Sequence, residues 1–189
     1  LYTNQKSIYT SCEYYCYMSD EIVSVEDVDL QDIYRVEVEA WGDDLSASKS
    51  TIEERLDTHA EGFVGIKNGN ELVGYLYGIR YDHDEVDPRT WEEATDLDLH
   101  DPESDQMYIT TVGVSEDHRG QGYGTKLLQG LEERAREIGV QEIYLGRRDT
   151  KGNEKFYESN GYEEVEKIEG WWPEDGSSEG HGVMMKKEV

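Results

Sequence analysis

The clearest change of period in the chain falls between Met107 and Ile138. Met107-Tyr-Ile-Thr-Thr-Val-Gly-Val114 is a short apolar run that predicts a buried strand. Beyond the glycine-dense Arg119-Gly-Gln-Gly-Tyr-Gly124 the spacing becomes helical. Leu127, Leu128, Leu131, Ala135 and Ile138 share one face, Glu132, Arg134, Arg136 and Glu137 are expected outside, and Gly139 stands where a C-terminal cap belongs. Upstream, Glu21–Val25 predicts a strand. Ser24 with Asp27 reads as a capping box opening a helix to about Ala40, with Leu30, Ile33, Tyr34 and Trp41 inward. Ser50 with Glu53 predicts a shorter helix carrying Ile52 and Leu56, and Gly62–Lys67 pairs with Glu71–Tyr81 around the turn Asn68-Gly69-Asn70. Downstream come a strand at Gln141–Gly146, a short helix at Asn153–Ser159, and a hairpin of Tyr162–Ile168 with Gly182–Lys187.

Charge changes this picture. The 189 residues include 44 acidic and 18 basic side chains, a net charge of −26. Such a balance normally signals disorder, but the periodic apolar segments and 14 tyrosines predict a folded, acid-coated protein. A halophilic, salt-rich cytoplasm, where screening makes the self-repulsion tolerable, is the expected setting. Nucleic acid is excluded as a partner for want of a basic face, and no apolar run reaches membrane-spanning length, so no membrane is expected. The basic residues are concentrated: Arg119 to Lys155 holds eight of them against six acids. An anionic protein has thus left one segment suited to a polyanionic ligand, although ordinary helix pairing accounts for some of these charges.

Two segments stand apart. Residues 1–17 carry both cysteines, five tyrosines and a single acid, Glu13, and are read as an atypical extension ahead of one domain at 18–189, with Met18 the expected initiator and an ordered extra strand the alternative. Cys12-x-x-x-Cys16 lacks a second ligand pair, so no metal is expected. Residues 82–105 form an acidic insertion with eleven carboxylates, either a salt-adapted loop or a lid that attracts a cationic acceptor.

The glycines at 120, 122 and 124 remove side chains where a strand turns into a helix, so backbone N–H groups can converge on an anion at the positive helix end. The run is not a P-loop, since no Gly-Lys-Ser/Thr follows at the required spacing, and it is a poor dinucleotide fingerprint. Arg119-x-x-Gly122-x-Gly124 does resemble the acetyl-coenzyme A signature of the GCN5-related N-acetyltransferases. Val112-Gly113-Val114 before it and Asn153-Glu-Lys-Phe-Tyr157-x-x-x-Gly161-Tyr162 after it extend the likeness over roughly residues 21 to 187.

The resemblance implies an α/β (α+β) fold: a mixed, mostly antiparallel twisted sheet of six to seven strands, flanked by about four helices and splayed at the cofactor strand. It also implies acetyl-CoA as co-substrate. Backbone amides of Arg119, Gly120, Gln121, Gly122, Tyr123, Gly124 and Thr125 would take the pyrophosphate. Val112, Gly113 and Val114, with Gly113 at a bulge, would bond the pantetheine and point an N–H at the thioester oxygen, and Asn153 would contact the arm. Tyr157 falls on the family's catalytic tyrosine. A phenol can protonate a leaving thiolate, although Tyr157 could equally pack beside Phe156.

For the base, Glu103, Asp105 and Glu39 are candidates, since Gly146 stands where related N-terminal acetyltransferases often carry Glu; His100 and His118 are expected at the surface. Trp171-Trp172, expected exposed in the last hairpin loop, and Trp41 would contact the acceptor, although the tryptophan pair could equally only cover the end of the sheet. The place of the tryptophan pair is similar to that in ribosomal-protein-alanine and related protein N-terminal acetyltransferases. A protein or peptide N-terminus is therefore the expected acceptor, with a small amine or a non-catalytic acyl-CoA-binding module as alternatives. Homodimer formation through the last strands, common in the superfamily, is a further expectation.

Overall fold

The computed structural model describes residues 20–43, 45–172 and 180–189; the expectations for residues 1–17 and for most of the last hairpin loop lie outside these. Among the described residues, one seven-stranded sheet organises the chain in the order β1-β2-β3-β4-β5-β7-β6. The strands are β1 (Asp20–Val23), β2 (Phe63–Asn68), β3 (Glu71–Arg80), β4 (Gln106–Val114), β5 (Glu142–Arg148), β6 (Glu163–Ile168) and β7 (Gly182–Glu188). Every pairing is antiparallel except β4 with β5, which the crossover helix α5 (Tyr123–Glu137) makes parallel.

Alternation along the strands fills two cores. Met107, Ile109, Ile143, Leu145, Val183 and Met185 face α5, where Leu127, Leu128, Leu131 and Ala135 meet them as their helical spacing predicts. Tyr108, Tyr144, Met184, Tyr75, Tyr77 and Ile79 face the opposite layer, built on α1 (Leu30–Trp41) and α2 (Lys49–Thr58). Gly139, at φ +84°, follows the end of α5. Glu132 departs from the expected outer face: it is buried, paired 2.7 Å from Lys187 of β7.

Both early helices start away from the expected boxes. Val25–Asp27 is a single tight turn, and α1 begins at Leu30 after Asp29. In α2 it is Ser48 whose hydroxyl accepts from the Thr51 N–H at 3.1 Å, two residues before the expected box. The acidic insertion is ordered into two single-turn helices, α3 (His83–Val86) and α4 (Trp91–Ala94). The Trp91 N–H donates to the Trp171 carbonyl at 2.9 Å, which joins the insertion to the last hairpin, and α6 (Lys151–Ser159) closes the α5 face.

Candidate active site

The parallel ladder between β4 and β5 runs from Gln106↔Glu142 to Ile109↔Leu145 and stops. There β4 bulges: its register with β3 slips between Tyr77↔Thr111 and Gly78↔Ile109, leaving Thr110 as the extra residue. The two strands diverge and a cleft opens on each face of the gap. The bulge is three residues earlier than expected. Gly113 is glycine for a different reason, because a Cβ there would meet the Ala40 methyl of α1 at 3.1 Å.

On the α5 face lies a cleft of about 590 Å³ whose lining includes Val112, Val114, Arg119, Gly120, Gly122, Gly124, Thr125, Asn153, Phe156 and Tyr157. Gly120 and Gly122 have φ of +74° and +88°, conformations that favour glycine, and a Cβ on either would meet nothing within 4 Å. The space above the turn is open. Helix α5 starts at Tyr123, so the N–H groups of its first turn have no intrahelical acceptor and face an anion site. Gly124 is held small by the Phe156 ring, 3.0 Å from where its Cβ would stand. The open glycine turn and the free main-chain N–H groups at the start of α5 fit a diphosphate-bearing ligand.

The side chains of this turn do other work. Arg119 turns its guanidinium back onto α1, donating to the Glu39 carbonyl at 2.6 Å and to the Ala40 carbonyl at 3.3 Å. Gln121 donates to the Asp117 carbonyl at 3.0 Å. Tyr123 is buried, its hydroxyl donating to Asp20 at 3.0 Å and accepting from Asn68 at 2.8 Å. Of the basic residues thought to favour a polyanion, Lys126 is paired with Asp20, and Arg147 is buried among Asp149 at 3.6 Å and Glu164 at 3.4 Å.

Tyr157 is half-buried at the cleft wall, and burial pushes its phenol up to about 12 despite the lowering influence of Arg147. It stays protonated across the physiological range, as an acid must.

On the opposite face is a cavity of about 380 Å³ lined by Glu37, Trp41, Ala47, Arg55, Trp91, Thr110, Thr111, Arg148 and Trp172 among others. The consecutive threonines reach it together because of the bulge. Trp41 borders both cavities, and its indole N–H donates to the Thr111 hydroxyl at 3.0 Å. Sequence reasoning missed Glu37 and Arg55. Glu37 is 3 % exposed, accepting from the Tyr75 hydroxyl at 2.7 Å and the Ala47 N–H at 2.8 Å. Its neighbour on the helix, Glu39, which had been a candidate base, instead pairs with Arg35 at 3.2 Å. Asp105 accepts from Gln141 at 2.8 Å, just before β4 begins and at the end of that strand remote from its glycine turn. Glu103 is exposed, in the same remote segment.

The tryptophan pair is split. Trp171 is 1 % exposed and lies on a platform of two glycines: a Cβ on Gly146 would meet its Nε1 at 2.5 Å, and one on Gly182 its Cγ at 2.4 Å. It is a core residue and not, as expected, an exposed contact for the acceptor. Its indole also explains why Gly146 carries no carboxylate. Trp172 alone lines the cavity, with the Arg148 guanidinium 5.1 Å over its ring. His100 is not a free surface residue either: it stacks on His59 at 4.3 Å and accepts from the Arg80 N–H.

A family model described as the Acetyltransferase (GNAT) family matches residues 28–162. The chain belongs to this family. Among solved structures it is similar to the GphF GNAT-like decarboxylase in complex with isobutyryl-CoA, at a TM-score of 0.76 and 19 % identity, covering 89 % of this chain and 98 % of that one. The loading GNATL domain of CurA from Lyngbya majuscula gives 0.78 at 17 % identity, over 90 % and 98 %. The ribosomal-protein-S18-alanine N-acetyltransferase from Escherichia coli gives 0.67 at 18 %, over 90 % and 94 %. At such identities these establish the fold of this GNAT chain. A curated relative, the probable hydrolase YhcX of Bacillus subtilis (strain 168), is 23 % identical over 151 residues; the match spans 78 % of this chain and 29 % of that protein. No described helix is long and apolar enough to cross a membrane.

Proposed function

We propose that this GNAT chain is an acetyl-CoA-dependent N-acetyltransferase that binds acetyl-CoA along the α5 cleft and a primary amine in the opposite cavity. The supporting observation is the pair of cavities on the two faces of one strand divergence, with Trp41 bordering both. Two substrates entering from opposite faces would meet where β4 leaves β5.

Acetyl-CoA supplies an acetyl group activated as a thioester. The glycine turn and the first N–H groups of α5 hold its diphosphate. Residues 112–114 of β4, unpaired on the side facing β5, offer main-chain bonds to the extended arm. Glu37 uses two of its roughly four lone-pair sites on Tyr75 and Ala47, leaving acceptors for an N–H of the amine, directly or through water. The amine nitrogen bonds to the carbonyl carbon as the carbon–sulfur bond breaks. Tyr157 gives its Oη proton to the departing sulfur, and the amine's surplus proton leaves through Glu37. The products are an amide and free coenzyme A.

A small amine suits this cavity of about 380 Å³ better than the peptide N-terminus expected from the tryptophan pair, because Trp171 is buried and of the pair only Trp172 lines the site. Thiol release in the presence of acetyl-CoA and a panel of amines and N-terminal peptides tests the reading. Tyr157→Phe should lower kcat about a hundredfold with coenzyme A affinity intact. A protein that binds coenzyme A but acetylates none of the panel would be an acyl-CoA-binding module instead.

A further inference from the structure

Among the described residues, Arg55 is a buried cation without a counter-ion. It is 6 % exposed, sits in the last turn of α2 and lines the cavity on the α1 face. Its Nη1 is fully buried with no hydrogen-bond partner, and among the described residues its guanidinium makes no ion pair. Glu37, the carboxylate that shares the cavity, accepts from Tyr75 and Ala47 and makes no ion pair with Arg55. A guanidinium removed from water normally answers to an anion, because an unpaired buried charge is unfavourable and a planar fork of donors matches a carboxylate. Around it the cavity is aromatic: Trp41, Trp91 and Trp172 line it, with the Arg148 guanidinium over the Trp172 ring. Its volume of about 380 Å³ lies at the small end of the range for small-molecule sites.

We propose that the acceptor is a small primary amine that also carries a carboxylate, bound with the carboxylate on Arg55 and the amine toward Glu37 and the β4 bulge. The proposal rests on the acetyltransferase reading for the fate of the amine, whereas carboxylate capture by Arg55 stands apart from turnover. The carboxylate of an amino acid in the cavity would give the Arg55 guanidinium the anion it lacks, pairing with the edge that lines the cavity, and the tryptophans would cover an apolar body. The amide or ester of the same compound would bring a neutral group to a buried cation. Discrimination against it should be about tenfold or more, because losing one partner of a buried charged pair leaves the other unpaired.

The test uses the full chain at fixed, high ionic strength. Binding of 3-phenylpropanoate, a carboxylate with an aromatic body and no amine, is measured by calorimetry on wild type, Arg55→Lys and Arg55→Met. Wild type should bind it, Arg55→Lys more weakly, and Arg55→Met at least tenfold more weakly, with coenzyme A binding equal in all three. In parallel, acetylation of phenylalanine, β-alanine and 4-aminobutyrate is compared with that of their amides and of a peptide with N-terminal phenylalanine. Wild type should favour the acids in kcat/KM, and Arg55→Met should erase the preference through KM.

Equal use of acids and amides, preference for the peptide, or unchanged 3-phenylpropanoate binding in Arg55→Met would overturn the proposal and leave the acetyltransferase reading standing. Carboxylate binding that depends on Arg55, with no amine acetylated, would overturn the acetyltransferase reading and keep the anion site. Equal melting temperatures for the three proteins would show that Arg55 acts on the ligand and not on folding.

Discussion

Substituting Gly146 by alanine places one methyl group against the most closely fitted contact beside the strand divergence. Its Cβ would stand 2.5 Å from Trp171 Nε1, 2.8 Å from Trp171 Cε2 and 2.9 Å from the Tyr108 hydroxyl. Ordinary contact needs about 3.5 Å or more, so the indole must retreat by roughly an ångström. The Gly182 backbone already hems in its other side, since a Cβ there would stand only 2.4 Å from Trp171 Cγ. Tyr108 cannot yield cheaply either, because its hydroxyl accepts from the Gly146 N–H at 3.1 Å. Overpacking of this kind costs about 1–3 kcal/mol, and each kcal/mol lowers the melting temperature by about 2–4 °C in a chain of this size. A fall of roughly 2–12 °C is therefore expected by calorimetry. The diagnostic comparison is the double variant: with Trp171→Val the obstructing ring is gone and only the Tyr108 hydroxyl still crowds the methyl, so the cost of Gly146→Ala should fall. A Gly146→Ala protein that melts with wild type, or a loss of equal size in the Trp171→Val background, would refute the packing argument.

Three further outcomes are expected. Arg119→Ala frees the carbonyls of Glu39 and Ala40 at the end of α1, so the KM for acetyl-CoA should rise several-fold, with Arg119→Lys recovering part of the loss because an ammonium still reaches one carbonyl. Burial lowers the His59 imidazole to about 4, so between pH 6.5 and 4 the unfolded chain takes up a proton that the folded chain refuses. Stability should fall as pH drops through that window, by about 3 kcal/mol from this group when each unit is worth 1.36 kcal/mol, and denaturant titrations of His59→Gln should show a shallower slope. With a net charge of −26, lowering potassium chloride from about 2 M to 0.1 M should reduce the melting temperature through carboxylate repulsion; a protein indifferent to salt would contradict the halophilic reading.

The elements legible in the sequence are those whose signal is local. The helical spacing of Leu127, Leu128, Leu131 and Ala135 requires an inward face, and the glycines at 120 and 122 require a turn with positive φ. Residues whose role depends on a partner far along the chain were misread. Trp171 reads as an exposed loop aromatic until Gly146 and Gly182, neighbours only through the pairing of β5 with β7, are seen to make room for it. Glu132 reads as outward until Lys187 draws it in. Glu37 and Arg55 carried no local signal, because a charged residue on a helix is usually solvated. Each is one helical turn after an inward aliphatic, Glu37 after Ile33 and Arg55 after Ile52, and that spacing was the available clue.

The parting of β4 from β5 after Ile109 and Leu145 has an evolutionary side. The last rungs of that ladder are sites where hydrogen bonding could be gained by zipping the two strands together. A variant that did so would bind no substrate between them. Improvements in fold strength and in turnover therefore pull this short stretch of backbone in opposite directions, and thermal hardening of the protein should be sought in the layers around it.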